Sequence, residues 1–182
     1  MADENVFTDV DATLRALFET VEIDGSPVPV VLVTPDPDIV ELTTPCITLM
    51  LSDVRRDETR RDNERRVEKD IDAMLADIKP PLAPYNLHYS VTGHGATTRE
   101  DRLLLEEILL AVEENTLLVS ADTQEEYRLG RDITFTEVSK GRDYGKTVGI
   151  VVKAWIEPRT VEQVPLVEET VFHVKRMELD SD

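Results

Sequence analysis

Apolar and polar side chains alternate most regularly in residues 86–92, where Leu87, Tyr89 and Val91 occupy every second position. A period of two is typical of a strand that buries one face. A double proline at 80–81 precedes this stretch, and proline disfavours helix both at its own position and at the residue before it. A Gly-His-Gly sequence follows it. The pattern therefore predicts a strand that is bounded on both sides.

Two other segments have the helical period, in which apolar residues recur every three to four positions. One helix is predicted to begin at Thr8, and a second to run from Arg99 to Glu114, between a cap at Thr98 and an end at Asn115. The residues predicted to face inward are Val10, Leu14, Leu17 and Phe18 in the first helix, and Leu104, Leu105, Ile108, Leu109 and Val112 in the second.

Shorter apolar runs predict the remaining elements. The expected elements are strands at residues 21–23, 28–33, 46–54, 133–138 and 147–157, a short helix at residues 70–78 and a polar connection at residues 124–131. The expected fold class is α+β, with a mixed, mainly antiparallel sheet of about five strands and the two main helices packed on one face.

The C-terminal part differs in character from the rest. Residues 1–157 form the predicted α+β domain, and residues 158–182 form a linker and a strand-like arm. Residues 168–175 alternate like a strand, with Val171 and Phe172 on opposite faces. This strand could pair within its own sheet or extend to a neighbouring subunit. We favour the neighbour, because the preceding domain already has enough strands, and we take Val171 and Phe172 as candidate interface residues.

The composition excludes several classes of protein. With 182 residues and a hydrophobic fraction of 41%, the chain can form one domain with a sizeable core. No apolar run approaches the about 20 residues of a membrane span. The acidic N-terminal sequence lacks the regions of a signal peptide, so we expect synthesis in the host cytoplasm and no membrane partner. A formal net charge of −18 argues against binding nucleic acid on the outer surface.

The balance of charged residues also bears on the ionic strength in which the protein works. Asp and Glu together number 38, against 14 Arg and only 6 Lys. Dense carboxylate with few lysines suits high ionic strength, where a Debye length of about 3 Å at 1 M salt screens self-repulsion. A halophilic host, and a GC-rich genome combined with a need for solubility, explain this composition equally well.

A basic island interrupts the acidic background. Residues 53–69 contain seven basic and six acidic residues, in a five-residue repeat that reads RRDET, RRDNE, RRVEK. Opposite charges four residues apart would stabilise a short exposed helix, although a solvated loop is the simpler interpretation. The alternative is a docking segment whose arginines contact carboxylates of an adjacent subunit. Its candidate interface residues are Arg55, Arg56, Arg60, Arg61, Arg65 and Arg66.

Two leucines of the second helix fall outside its inward stripe. Leu103 and Leu110 lie beside Glu106 and Glu107 on the far side of the helix. They either cover loops of their own subunit or are buried by a neighbour in an oligomer. Both are therefore candidate interface residues.

The sequence gives little support to catalysis or metal binding. His88, His94 and His173 lack the spacing of metal ligands, and Cys46 lies in an apolar run where a buried thiol is expected. The Gly-Lys-Thr sequence at residues 145–147 lacks the glycine spacing of a phosphate loop and leads into a predicted strand. We therefore predict that the protein is not an enzyme and uses no cofactor or metal.

The order of the motifs is more informative than any one of them. The motifs are Pro80-Pro81-Leu82, Leu87-His88-Tyr89, Gly93-His94-Gly95, the leucine-rich stretch 103–110 and the exit 115–118, with residues 45–54 before them and residues 133–139 after them. In this order they resemble the N-terminal domain of the cap proteins of contractile injection systems of the Photorhabdus virulence cassette type, which are related to phage tail terminators. The resemblance covers residues 10–157. We expect the family's long C-terminal extension to be absent, since the sequence ends at Asp182.

The resemblance implies a structural virion protein at the head-proximal end of a tail. As a tail terminator it would form a homohexameric ring that caps the tail tube, stops tube polymerisation and joins the tube to the neck protein or to the last sheath ring. DNA would be a partner only in passage through the lumen. The alternatives are the cap of a contractile injection system, and a binding module or chaperone in tail assembly.

Overall fold

The computed structural model describes residues 6–34, 42–60, 64–130, 134–140, 143–157 and 161–165. In chain order its elements are α1 (Val6–Phe18), β1 (Glu22–Ile23), β2 (Ser26–Pro27), β3 (Val30–Leu32), β4 (Cys46–Arg56), β5 (Arg66–Asp70), β6 (Leu75–Lys79), β7 (Ala83–His94), α2 (Thr98–Glu114), β8 (Leu117–Val119), β9 (Glu126–Leu129), β10 (Thr134–Lys140), β11 (Asp143–Ile156) and β12 (Glu162–Pro165). They are divided between two units, the first from the described residues of 1–62 and 82–156, the second from those of 63–81 and 157–182.

A seven-stranded sheet organises the first unit, beside the small hairpin β1–β2. The strand order is β3-β4-β7-β11-β9-β8, and β10 also pairs with β11. Only β3 and β4 are parallel among these pairs, so the described sheet is mixed and mainly antiparallel, as predicted. The predicted strand at residues 86–92 is the middle of the central strand β7, where Leu87, Tyr89 and Val91 are at most 1% exposed.

Both helices pack on the same face of this sheet. From β7, Tyr89 Oη donates a hydrogen bond of 2.7 Å to Asp11 Oδ1 of α1. Four residues further along β7, and so on the same face, Gly93 lies beneath α2. A Cβ atom at Gly93 would lie 2.7 Å from Leu104 Cβ, so glycine is required for the helix to approach this closely. The stripes predicted to face inward are buried or partly buried in both helices.

The helix ends lie close to the predicted caps. The structure has α1 beginning at Val6, ahead of the predicted start at Thr8, and the N-cap of α2 is Thr97 instead of Thr98. Thr97 Oγ1 accepts a hydrogen bond from Glu100 N at 3.3 Å. At the other end of α2, Asn115 is the C-cap, as predicted.

The prediction of a single sheet with about five strands is wrong, because segments expected to be irregular are strands. Residues 124–131, predicted as a polar connection, contain β9. Tyr127 and Leu129 are buried there, while Glu126 and Arg128 between them are exposed. The strand is only four residues long and two of those residues are charged, so its period of two was too short to be recognised in the sequence. The hairpin β8–β9 therefore adds two strands that were not predicted.

Residues 70–78, predicted as a short helix, belong to a β-hairpin of the second unit. Strands β5 and β6 pair across a turn in which Asp70 Oδ1 accepts a hydrogen bond from Ala73 N at 3.0 Å. Met74 has a φ of 54°, in the left-handed region that interrupts a right-handed helix. Ile71, in this turn, is 74% exposed. Apolar residues at a spacing of three to four predicted a helix, but the turn between β5 and β6 makes this segment a hairpin.

The predicted linker at residues 158–165 also contains a strand. Residues Glu162–Pro165 form β12, which pairs antiparallel with β6 and completes a three-stranded sheet in the order β12-β6-β5. Proline is tolerated here because β12 is an edge strand and Pro165 is its last residue. The strand predicted at residues 168–175 lies outside the described residues, and the division of the chain at residue 157 stays a prediction.

A buried carboxylate connects α1 to the loop between β8 and β9. Asp9 is 6% exposed and accepts hydrogen bonds from the hydroxyls of Ser120, Thr123 and Tyr127, at 2.6, 2.8 and 2.5 Å. Burial by itself would raise the pKa of Asp9, but the three hydrogen bonds outweigh it and hold the pKa below its ordinary value. The ionised carboxylate is therefore the form that fixes the first turns of α1 against the sheet.

We expect Asp9→Asn to lower the free energy of unfolding by about 1–3 kcal/mol at neutral pH, because the amide nitrogen cannot accept the hydroxyl hydrogen bonds. The folded-state pKa of Asp9 is lowered, so its contribution is present above the unfolded-state pKa and is lost as the pH falls through the folded-state value. The penalty, measured by urea unfolding, should therefore shrink between neutral pH and about pH 3.

The control for this prediction is Asp11→Asn. Burial raises the pKa of Asp11, although the hydrogen bond from Tyr89 opposes it. The Asp11→Asn penalty should therefore not shrink as the pH falls, since protonation of Asp11 favours the folded state. An Asp9→Asn penalty that does not depend on pH would contradict the role assigned to the carboxylate.

Candidate interaction surfaces

The predicted docking segment begins on a strand. Arg55 and Arg56 are the last two residues of β4, and both are exposed. Arg56 lies opposite Tyr85 of β7, so strand pairing continues two residues beyond the predicted end at Val54. Arg55 Nε lies 2.6 Å from Asp53 Oδ2, and with 70% of the arginine side chain exposed this ion pair is solvated. Both arginines are accessible on the surface of the first unit.

Arg60, in contrast, is held by its own unit. Its Nε donates to Asp57 Oδ2 at 2.8 Å, and its guanidinium carbon lies 5.0 Å from the centroid of the Trp155 ring. Asp57 is 8% exposed and also accepts hydrogen bonds from Thr59 N and Thr59 Oγ1. The hydrogen bonds from Thr59 and Arg60 hold the pKa of Asp57 well below its usual range. Only 26% of the Arg60 side chain is exposed, so this residue stabilises a loop and is poorly placed for docking.

Arg66 belongs to a group of ion pairs in the second unit. Its Nη2 lies 3.1 Å from Glu157 Oε1, and Lys79 Nζ lies 3.6 Å from the same oxygen. Lys79 also donates to Glu68 at 2.8 Å, and this hydrogen bond raises the pKa of the lysine and lowers that of the glutamate. The charges of Arg66 and Lys79 are therefore already matched within their own unit.

The candidate arginines thus differ in how far each is held by its own unit. The segment agrees with the simpler interpretation of a solvated loop: it contains the end of β4 and the start of β5, and the described residues between them, 57–60 and 64–65, are not helical. Arg65 is exposed just before β5, whereas Arg61 lies outside the described residues. A docking role for Arg55, Arg56 and Arg65 stays a prediction.

The apolar candidates also differ from one another. Leu103 is partly buried against the core of its own unit, while Leu110 is 46% exposed. Leu103 therefore covers its own chain, and the apolar surface of Leu110 is open in the described structure. Val171 and Phe172 lie outside the described residues.

An open sheet edge was not identified from the sequence. Strand β8 is the last in the sheet order, and β9 is its pairing partner. Ser120 N donates to Glu125 O at 2.9 Å, so Ser120 and Leu118 direct their backbone groups toward β9. By the alternation of an antiparallel ladder, the backbone N–H and C=O groups of Leu117 and Val119 point away from β9. Within the described part of the chain, these groups form the free edge of the sheet.

A groove runs beside this edge, between β8 and α1. It has a volume of about 450 Å³ and is lined on the helix side by Ala12, Ala16 and Leu17. Leu117 and Val119 line it on the strand side and are 45% and 52% exposed. One sequence signal could have indicated it: the run of three apolar residues 117–119 is apolar on both faces, which is unusual for a strand at a sheet edge.

The sheet face opposite the helices carries several polar side chains. His94 is the last residue of β7, and its Nε2 lies 3.0 Å from Thr48 Oγ1. The hydroxyls of Thr92 and Thr147 lie 2.8 Å apart. The described residues contain no group of three or more His, Cys, Asp or Glu side chains that could hold a metal ion. None of the helices in the described ranges is long and apolar enough to cross a membrane.

Residues 9–148 match the family model of the Pvc16 N-terminal domain. This range contains most of α1, all of α2 and most of the strands of the seven-stranded sheet. It nearly coincides with residues 10–157, over which the order of motifs carries the resemblance. No curated protein is similar enough to the chain to count as a match.

We expect Arg60→Ala to lower the midpoint of thermal unfolding, because it leaves the buried Asp57 carboxylate without its cation and uncovers the Trp155 ring. The control is Arg65→Ala, which removes the same side chain from an exposed position outside the strands. Differential scanning fluorimetry compares the two variants directly. Equal midpoints would show that the Arg60 contacts contribute nothing to stability.

Proposed function

The chain belongs to the family of the Pvc16 N-terminal domain, a family related to phage tails and contractile injection systems, and we propose that it is a tail terminator. In this role six copies form a ring that caps the head-proximal end of the tail tube and stops tube growth. The ring joins the tube to a neck protein or to the last sheath ring, and DNA passes through its lumen. In a contractile injection system, which is a particle without a head, the same role is that of the cap protein.

The family match over residues 9–148 is the observation that carries this proposal. The structure supports it in one further respect: among the described residues, the sheet of the first unit has edges without a pairing strand, and such edges are suited to contacts between subunits. A ring stops growth by geometry, since one of its faces is complementary to the tube while the other offers no surface for a further tube ring. Such a mechanism needs no reacting group.

Electron microscopy of the purified protein tests the proposal. We expect rings with six-fold symmetry, and light scattering should give about six times the chain mass of 20.6 kDa. Added to growing tubes, the protein should bind one end and halt elongation. A stable monomer that binds tube protein only transiently would contradict the terminator role and indicate an assembly chaperone instead.

We further expect the double variant Arg55→Glu, Arg56→Glu to weaken assembly, because it places carboxylates where a chain of net charge −18 offers exposed arginines. The fraction of assembled protein, measured by sedimentation, should fall most at low salt, where charges are least screened.

The control for the arginine variant is Arg99→Glu, Arg102→Glu. It makes the same change in net charge at two exposed positions of α2. If both double variants assemble equally well, or equally poorly, Arg55 and Arg56 have no particular docking role. Circular dichroism spectra that match the unmodified protein confirm that the fold is retained in both.

A further inference from the structure

We propose that the groove between β8 and α1 receives the C-terminal segment of a neighbouring copy, residues 170–177, as an added strand. This inference rests on the proposed function, because it names the contact by which one subunit of the ring holds the next. The groove that would receive the segment consists of described residues, and the segment itself has the sequence pattern of a strand.

The backbone of β8 offers hydrogen-bonding groups to an added strand. The N–H and C=O groups of Leu117 and Val119 point away from β9, so they can form a ladder with an incoming extended segment. Main-chain hydrogen bonds of this kind supply affinity when a peptide extends a sheet. The strand β8 is three residues long, and a segment of similar length is sufficient to cover it.

The groove has room and an apolar lining for such a strand. Ala12 and Ala16 are small and leave room above α1, and Leu17 adds an apolar wall. A strand added to β8 would direct alternate side chains toward α1 and the others toward the opposite side of the sheet. Residues 170–174 read Thr-Val-Phe-His-Val, with apolar side chains available to both sides. Apolar side chains of the segment can therefore pack beside β8 on either face of the sheet, and β8 is itself apolar on both faces.

The charges around the groove and on the segment are opposite in sign. Exposed acidic residues surround β8, both at the end of α2 and in the hairpin that follows: Glu113, Glu114, Asp122, Glu125 and Glu126. The C-terminal segment carries Lys175 and Arg176 directly after its apolar residues. Basic side chains here are unusual in a chain whose net charge is −18, and they would face the acidic surroundings of the groove.

The nature of the two surfaces indicates which copy supplies the segment. A free edge and a strand-like segment are two different surfaces of one chain, so joining them between copies gives a head-to-tail contact. Repetition of a head-to-tail contact closes a ring when the rotation per subunit permits it. A neighbouring copy is therefore the source that agrees with a ring.

The decisive variant is Val119→Pro, compared with Val119→Ala. Proline removes a backbone N–H that points away from β9, and it is tolerated at such a position on an edge strand. Alanine removes two methyl groups, and so loses more side chain than proline does, but it keeps the N–H group. We expect the proline variant to weaken assembly by about tenfold or more, and the alanine variant to weaken it much less. Equal assembly of the two variants would overturn the proposal.

A second pair of variants guards against misfolding of the proline variant. Leu117→Glu places a charge at the groove, and Leu32→Glu places the same charge on β3, at the other end of the sheet order. Both leucines are 45% exposed, so neither change disturbs the core. We expect only Leu117→Glu to weaken assembly. Loss of assembly with Leu32→Glu alone would place the contact at the other edge of the sheet and overturn the proposal.

Disulfide formation identifies the copy that supplies the segment. Protein with Val119→Cys is mixed with protein with Phe172→Cys under mild oxidation, and Cys46 does not interfere because it is 1% exposed. Crosslinked dimers in the mixture, absent from either variant alone, support the proposal. A crosslink that forms only within single chains of the double variant, or no crosslink at all, overturns it. Rings that persist with Val119→Pro would reject this contact while leaving the terminator role intact, and the absence of rings from the unmodified protein would reject the terminator role itself.

Discussion

The structure depends on covering one face of the central strand β7 with two helices. Tyr89 contacts α1 through Asp11, and Gly93 lets α2 approach the same strand four residues later. Because both helices lie on this face, the strands β4 and β11 on either side of β7 bury their apolar residues on the same side. The opposite face is free to carry threonines and a histidine. Hydrophobic burial thus sets the polarity of the whole sheet.

The same constraint determines where the first unit can make contacts. Two helices cover the middle of a seven-stranded sheet, and strands at its margins keep unpaired backbone groups in the described structure. Near one margin, the Asp9 carboxylate holds α1 in place against the loop between β8 and β9. The groove beside Val119 therefore has a buried hydrogen-bond network behind it. An edge that is held in place before binding loses less conformational entropy when a partner segment binds.

The sequence predicted the parts of the fold that are governed by long, regular burial patterns. The strand around Tyr89, both helices and the strand that begins at Cys46 have apolar periods long enough to identify their type. The hairpin at residues 70–78 was missed because the left-handed conformation of Met74 is a property of the turn that apolar spacing does not encode. At the candidate surfaces, the environment of Arg60 depends on Trp155, which is distant in the sequence. The five-residue repeat indicated the same role for all six arginines, because the sequence does not show which of them contacts Trp155.

Charge adds a condition that any assembly of this chain has to meet. Copies with a net charge of −18 repel one another, and salt screens this repulsion at distances beyond a Debye length. Close contacts between copies must then avoid placing carboxylate against carboxylate. Arg66 and Lys79 are already matched by Glu157 and Glu68, so they leave little positive charge for a neighbour. The exposed Arg55, Arg56 and Arg65 remain available for such contacts. Lys175 and Arg176 follow the strand-like segment. These basic residues are consequently the ones able to select which surfaces of two copies meet.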